Sequence, residues 1–217
     1  MSPLSAHPHT RKTCPPGWGA RWRPGASLLV VLALLAVALP GAADQGAFLG
    51  EVIEPPAPAA DFTLRTPDGK SFRLSDQRGN VVVLYFGYTS CPDVCPTTLA
   101  QLADVKGQLG EAAARLRVAL VTVDPERDTP QRLRIYTQAF DPTFLGLTGS
   151  KQTLGKVWKA YGVFAEKKRL AGSPLGYLVD HSAKTYVIDA EGRLRLAMPF
   201  GTPNDTFLHD LRTLLKR

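Results

Sequence analysis

Cysteine is scarce in this chain of 217 residues: there are three, and Cys14 lies near the start, ahead of an apolar run. A small fold stapled by disulfides needs more pairs, so that class is excluded and Cys91 and Cys95 remain available for chemistry. Acidic residues are missing altogether from residues 1–43, which carry Arg11, Lys12, Arg21 and Arg23. A long apolar run is also missing. "LLVVLALLAVAL", Leu28–Leu39, has twelve residues, and as a helix it would span about 18 Å against the ~30 Å hydrocarbon core of a bilayer. Internal repeats are absent, and so is a basic stripe interleaved with aromatics.

The acid-free start reads as an export signal: a positive region, an apolar region and a small-residue exit, with Gly41 and Ala43 placed for cleavage before Asp44. Counting from Gly25 to Ala43 approaches spanning length, so a retained anchor over residues 25–43 is the alternative, weakened by Pro40 and Gly41. Such a leader also suits a mitochondrial presequence. The location expected is the bacterial periplasm or the periplasmic face of the inner membrane, with the mitochondrial inner membrane as the variant. Removing residues 1–43 takes four of the 26 basic residues and none of the 19 acidic ones, leaving +3 where the whole chain has +7. Nucleic-acid binding then loses its main support. The one short cluster, "EKKR" at Glu166–Arg169, reads as a solvated loop.

Residues 44–60, ending in "EPPAPAA", read as a Pro/Ala-rich linker, and residues 61–217 as one domain of ample size for an unstapled core. "FTLRTPDGKSFRL" carries two alternating runs around Pro67-Asp68-Gly69, a hairpin signal. "VVVLYF" suits a strand buried on both faces. Helical spacing from Pro96 to Leu109 precedes the strand "LRVALVTV". Helices over 130–140 and 151–161 alternate with "FLGLTG" and "GVFAEK", and the loop "AGSPLG" reaches the strands "KTYVID" and "RLRLAMP" and a helix over 204–216. This is an α/β pattern with a mixed central sheet flanked by helices and an N-terminal β-hairpin, and its order resembles the thioredoxin fold.

In "CPDVCPTT", Cys91 and Cys95 sit where an apolar strand turns into a helix. A residue before proline avoids the helical region, so Cys95 is expected to be extended or capping, with Pro96 opening the helix. Both sulfurs then lie near a helix N-terminus, which favours thiolate. A structural disulfide is the plain alternative, but strand C-termini are where open α/β sheets place their sites. Three intervening residues also separate this pair from the two of thioredoxin-type oxidoreductases.

Of the histidines, His7 and His9 fall in the leader and His209 belongs to the last helix, on a solvated face. His181, in "YLVDHSAKTYVID", precedes a sheet strand at the connection where the thioredoxin fold ordinarily carries a cis-proline facing the cysteines; here no proline occupies it. His181 is therefore expected to face the cysteine loop. Two soft thiolates and an imidazole suit Cu(I), and a further ligand would admit Cu(II). A core or capping histidine is the competing reading.

"YFGYTSCPDVCPTTL", "VTVDPERDTP", "GLTGS" and "VDHSAKTYVID", in that order, resemble the Sco/SenC family of copper-binding proteins of cytochrome c oxidase assembly. The resemblance covers residues 61–217. It implies a thioredoxin-like fold, a copper ion held by Cys91, Cys95 and His181, and two partners: the copper-centre subunit of cytochrome c oxidase and a copper donor protein. The rival readings are a thiol:disulfide oxidoreductase that reduces the acceptor's cysteines through Cys91 and Cys95, and a redox or copper sensor. Asp124 reads either as a group orienting the site, or docking a partner, or as a turn former with Pro125. Asp128 reads as a helix cap, Asp93 as a modulator of the loop, and Asp180 as a group fixing the tautomer of His181.

Overall fold

The structure, a computed structural model, describes residues 48–173 and 175–216. The leader reading of residues 1–43 lies outside them. In chain order the elements are β1 (Val52–Pro58), β2 (Thr63–Arg65), β3 (Ser71–Arg73), β4 (Val81–Gly87), α1 (Val94–Gln108), β5 (Leu116–Thr122), α2 (Pro130–Gln138) and β6 (Leu145–Leu147). Then come α3 (Lys151–Ala160), β7 (Ala165–Arg169), β8 (Tyr177–His181), β9 (Thr185–Ile188), β10 (Arg193–Met198) and α4 (Asn204–Leu215).

All seven residues of β4 are buried. A strand can bury both faces only when layers cover it and both edges are paired, and β4 has parallel β5 on one side and antiparallel β9 on the other. The six-stranded sheet runs β1-β10-β9-β4-β5-β6. It is mixed, because β5 pairs parallel with β4 and β6 while β1, β10 and β9 pair antiparallel. This is the thioredoxin-like α/β architecture, with β2 and β3 forming the expected hairpin.

Helix α1 buries Cys95, Thr98, Leu99, Leu102 and Val105, the 3- and 4-residue spacing of a single helical face. Each fully buried leucine of that face contributes roughly 1.5–3 kcal/mol. Helix α4 lies beside α1: the Gln101 side-chain amide donates to the Thr202 carbonyl and to Asn204 Oδ1, both at 2.7 Å.

Three local readings change. Residues 52–58, taken as linker, form edge strand β1, where prolines are tolerated because one side of the strand needs no ladder partner. "EKKR" is strand rather than loop, solvated as expected, and pairs with β8 in a two-stranded sheet separate from the main one. His181 is thus the last residue of β8, a strand hidden in the sequence behind the turn-rich "AGSPLG".

Candidate metal centre

The cysteine loop leaves the C-terminal end of β4 and enters α1 at Val94, two residues earlier than the prolines suggest. Cys95 is therefore not a cap but a first-turn residue, and the cap position is Asp93, whose side chain makes no capping bond. Proline at position 96 is compatible with this because first-turn N–H groups have no acceptor inside the helix. The orphaned Cys95 N–H donates instead to Cys91 Sγ at 3.4 Å. Cys91 sulfur thus occupies the place of a capping oxygen.

Gly87 is what allows Cys95 to seat against the strand end. A Cβ at that position would come within 2.9 Å of Cys95 Sγ and 2.8 Å of Tyr85 Cε1, closer than any side chain tolerates. Tyr85 donates its hydroxyl to Cys95 Sγ at 3.5 Å.

From the other side comes His181. Its Nε2 lies 3.4 Å from Cys95 Sγ, and its Nδ1 lies 3.1 Å from the Ser182 carbonyl oxygen. A carbonyl can only accept, so Nδ1 carries the proton and the Nε2 lone pair is directed to the sulfurs. The rings of Tyr85 and Tyr88 meet the imidazole edge to face, with centroids 6.2 and 5.7 Å away. Cys91 Sγ, Cys95 Sγ and a ring nitrogen of His181 all lie within 4.8 Å of one another, and the two cysteines are free thiols.

The two thiols differ in proton affinity. Cys91, half-buried, is drawn down to about 4, chiefly by the hydrogen bond it accepts from Cys95, with nearby backbone N–H groups adding to this against the cost of burial. Cys95, fully buried, is pushed up, first by burial, then by the hydrogen bond it gives to Cys91 and by the Cys91 charge. The reduced pair therefore holds one thiolate and one thiol. Binding a soft cation there releases the remaining proton, and the donor set of two sulfurs and an imidazole fits copper.

The aspartates read as auxiliary groups separate. Asp180 is exposed on the opposite face of β8 from His181, as strand alternation requires, and the His181 tautomer is set by the Ser182 carbonyl instead. Asp124 is fully buried and accepts from the Tyr177 hydroxyl at 2.8 Å and from Arg127. Asp128 is no helix cap, since Thr129 caps α2 by accepting from Arg132 N–H. It is buried, with its carboxyl pushed up by that burial, and accepts from the Thr89 N–H, the Thr89 hydroxyl and the Thr122 hydroxyl. Asp93 is exposed in the loop, and His209 is exposed on α4 as expected, beside Asp210. Gly87, Tyr85, Tyr88 and Arg127 escaped the sequence reading; the cluster of aromatics in "YFGY", just ahead of the cysteines, was the available signal for the two tyrosines.

A thioredoxin-like domain carrying a dithiol and an imidazole at its strand-to-helix turn defines a class of thiol-rich metal or redox proteins. The chain belongs within it to a specific family: the SCO1/SenC family model matches residues 51–216. An SCO2-like protein of Rickettsia felis is 38% identical over 133 residues, 61% of this chain and 65% of that protein, so the match spans just under two thirds of the relative's length. The structure of apo Sco1 from Thermus thermophilus superposes with a TM-score of 0.69 at 42% identity, covering 77% of this chain and 97% of that one. The copper-bound structure of Bradyrhizobium japonicum ScoI has a TM-score of 0.66 at 33% identity, covering 73% and 99%.

Proposed function

We propose that this protein binds copper through Cys91, Cys95 and His181 and serves assembly of the binuclear copper centre of a cytochrome c oxidase. One observation carries the reading: three soft or borderline donors, from a loop, a first helical turn and a strand 86 residues beyond Cys95, lie within 4.8 Å of one another. Membership of the SCO1/SenC family and the copper in the Bradyrhizobium relative support it. The partners that follow are the copper-centre subunit of the oxidase as acceptor and a protein that donates copper. The copper-binding domain of this proposal is residues 61–217 together with edge strand β1, which pairs into the same sheet. Residues 1–43 are its export signal, or its anchor, to the periplasm or the periplasmic face of the inner membrane. Among the described residues no helix is long and apolar enough to cross a membrane.

The test is retention of Cu(I) by the reduced protein against a chelator. Wild type is expected to hold one copper ion, with Cys91→Ala, Cys95→Ala and His181→Ala each weaker. Unchanged retention in both cysteine variants would overturn the assignment.

A second reading, thiol:disulfide exchange, is favoured by the unequal thiols. Cys91, the more exposed and the thiolate, would attack one sulfur of a target disulfide, forming a mixed disulfide and releasing the other sulfur as thiolate. Cys95 would then close the Cys91–Cys95 bond, its proton passing to the departing thiolates, so the target is reduced by two electrons and this pair oxidised by two. His181→Ala separates the readings: exchange with a model disulfide survives, and oxidase activity at limiting copper is lost.

A further inference from the structure

The loop between β5 and α2, Asp124–Asp128, touches both halves of the site. Toward the cysteines, Asp128 accepts from the Thr89 N–H at 3.1 Å and the Thr89 hydroxyl at 2.6 Å, two residues ahead of Cys91. Within the loop, Thr122 donates its hydroxyl to Asp128 at 2.6 Å and accepts from the Asp124 N–H at 2.9 Å. Toward the histidine, Arg127 Nη1 donates to the carbonyls of Leu175 and Tyr177 at 3.1 and 3.0 Å. Its guanidinium carbon stands 3.7 Å from the centroid of the Tyr177 ring, and the Tyr177 hydroxyl returns to Asp124 at 2.8 Å. Asp124 also accepts from Arg127 Nε. A continuous polar chain thus runs from Thr89 to Tyr177, four residues before His181.

The hairpin that carries His181 needs such a hold. Among the described residues β7 and β8 pair only with each other, and β7 is mostly exposed. A two-stranded ribbon is at best marginally stable by itself, and a ligand on it is held no more firmly than the ribbon. Val179 is buried against the core and its N–H donates to the Tyr88 hydroxyl at 3.2 Å, and the Arg127 assembly adds a polar tie to the body of the domain, beside the more exposed Lys167–Glu126 pair. Arginine suits the place because its flat fork stacks on one ring while donating in its own plane, which lysine cannot do.

We propose that the Asp124–Asp128 loop is a bracket that registers the histidine hairpin against the cysteine loop, with Arg127 the positioning residue for His181. This rests on the copper-binding reading of that site. Loosening the bracket frees the hairpin, so the imidazole spends less time at the sulfurs, while the thiols, held by β4 and α1, stay in place.

Two measurements on the full, reduced chain test it. Hydrogen exchange of the metal-free protein is expected to speed up at least tenfold at the Val179 amide in Arg127→Ala, with β4 and β5 unchanged. Cu(I) retention in the same variant should fall about tenfold. Against a His181→Ala background, however, Arg127→Ala should cost less than twofold, because the residue acts through the histidine. Tyr177→Phe, which removes only the bond to Asp124, should move both readings the same way by less, and it carries the same cycle if Arg127→Ala does not fold. Equal losses with and without His181, or unchanged exchange at Val179, would overturn the bracket. A wild type that holds no Cu(I) would overturn the copper reading alone, leaving the exchange result to decide the bracket.

Discussion

The two halves of the dithiol–imidazole site are built in opposite ways. Cys95 is fully buried, in the first turn of a helix whose apolar face packs into the core, and it abuts the end of a strand buried over all seven residues. His181 stands at the end of a two-stranded ribbon outside the main sheet, held by one buried residue, Val179, and by a few polar contacts to side chains. Hydrophobic packing therefore fixes the sulfurs, whereas the imidazole depends on a single buried valine and on directional hydrogen bonds. The difference teaches that the thiols persist wherever the fold persists, whereas the nitrogen ligand can be set loose with the fold intact. A site that has both to hold a metal and to release it gains from one ligand on the weaker support.

The largest effect expected from breaking that asymmetry comes from the packed side. Leu99 is wholly buried on α1, one turn beyond Cys95. Leu99→Ala should cost about 2–5 kcal/mol of unfolding free energy by loss of burial and a residual cavity. Urea denaturation of the reduced protein measures it. A loss under about 1 kcal/mol would mean that the helix carrying Cys95 is not held by its packing into the core.

The asymmetry between the sulfurs themselves is sharpened by pH. With Cys91 drawn down to about 4, its alkylation by iodoacetamide in the reduced protein should be nearly flat from pH 8 to pH 5 and fall as pH drops through about 4. An ordinary thiol, with a value of ~8.5, loses about tenfold per pH unit over the same range. Stability follows with a definite sign. Cys91 is lowered on folding, so its contribution is fully present above the unfolded value and is lost as pH falls through about 4. Cys95 is raised, so above the unfolded value the unfolded chain ionises where the folded one does not, and stability declines there. Cys91→Ser should remove the thiolate's share of the acid arm and lessen the alkaline one, because Cys95 loses the neighbouring charge that helps to raise it. A steep alkylation profile between pH 6 and 8 would place the thiolate elsewhere.

What the sequence made legible divides along the same line. The continuous run "VVVLYF" announced a doubly covered strand because burial on both faces leaves a mark in composition, and the spacing of Leu99, Leu102 and Val105 announced a helix face. The Cys91, Cys95 and His181 assignment rested on residue chemistry joined to fold order, and the three donors do lie together. The ribbon was less legible. "AEKKR" is largely solvated and "YLVDH" is five residues long with only Val179 buried, too short a stretch to mark a strand by its pattern. Arg127 and Tyr177 are fifty residues apart, and a contact set by tertiary approach leaves no periodic trace. Cys95 misled for a local reason: the penalty on helical geometry before proline is a preference, and a first turn with free N–H groups and a sulfur acceptor outweighs it.

The smallest effect tests the ribbon's outermost tie. Lys167 on β7 pairs with Glu126 of the bracket loop and lies 4.6 Å from the centroid of the Tyr177 ring, on the same residue that Arg127 covers. Both charged side chains are well exposed, and an ion pair in that setting is screened by salt and must order two flexible chains to form. Lys167→Ala is therefore expected to leave the urea midpoint unchanged within error, and to speed exchange at the Val179 amide by less than threefold, an effect that disappears in 0.5 M salt. Arg127→Ala, by contrast, removes two bonds to backbone carbonyls and a stacked face, none of which salt screens in the same way, so its tenfold change should survive that salt. If Lys167→Ala matched Arg127→Ala in size and salt response, the ribbon would be held by surface charge rather than by the bracket. The contrast between a packed thiol half and a hydrogen-bonded histidine half would then have to be redrawn as packing against simple electrostatics.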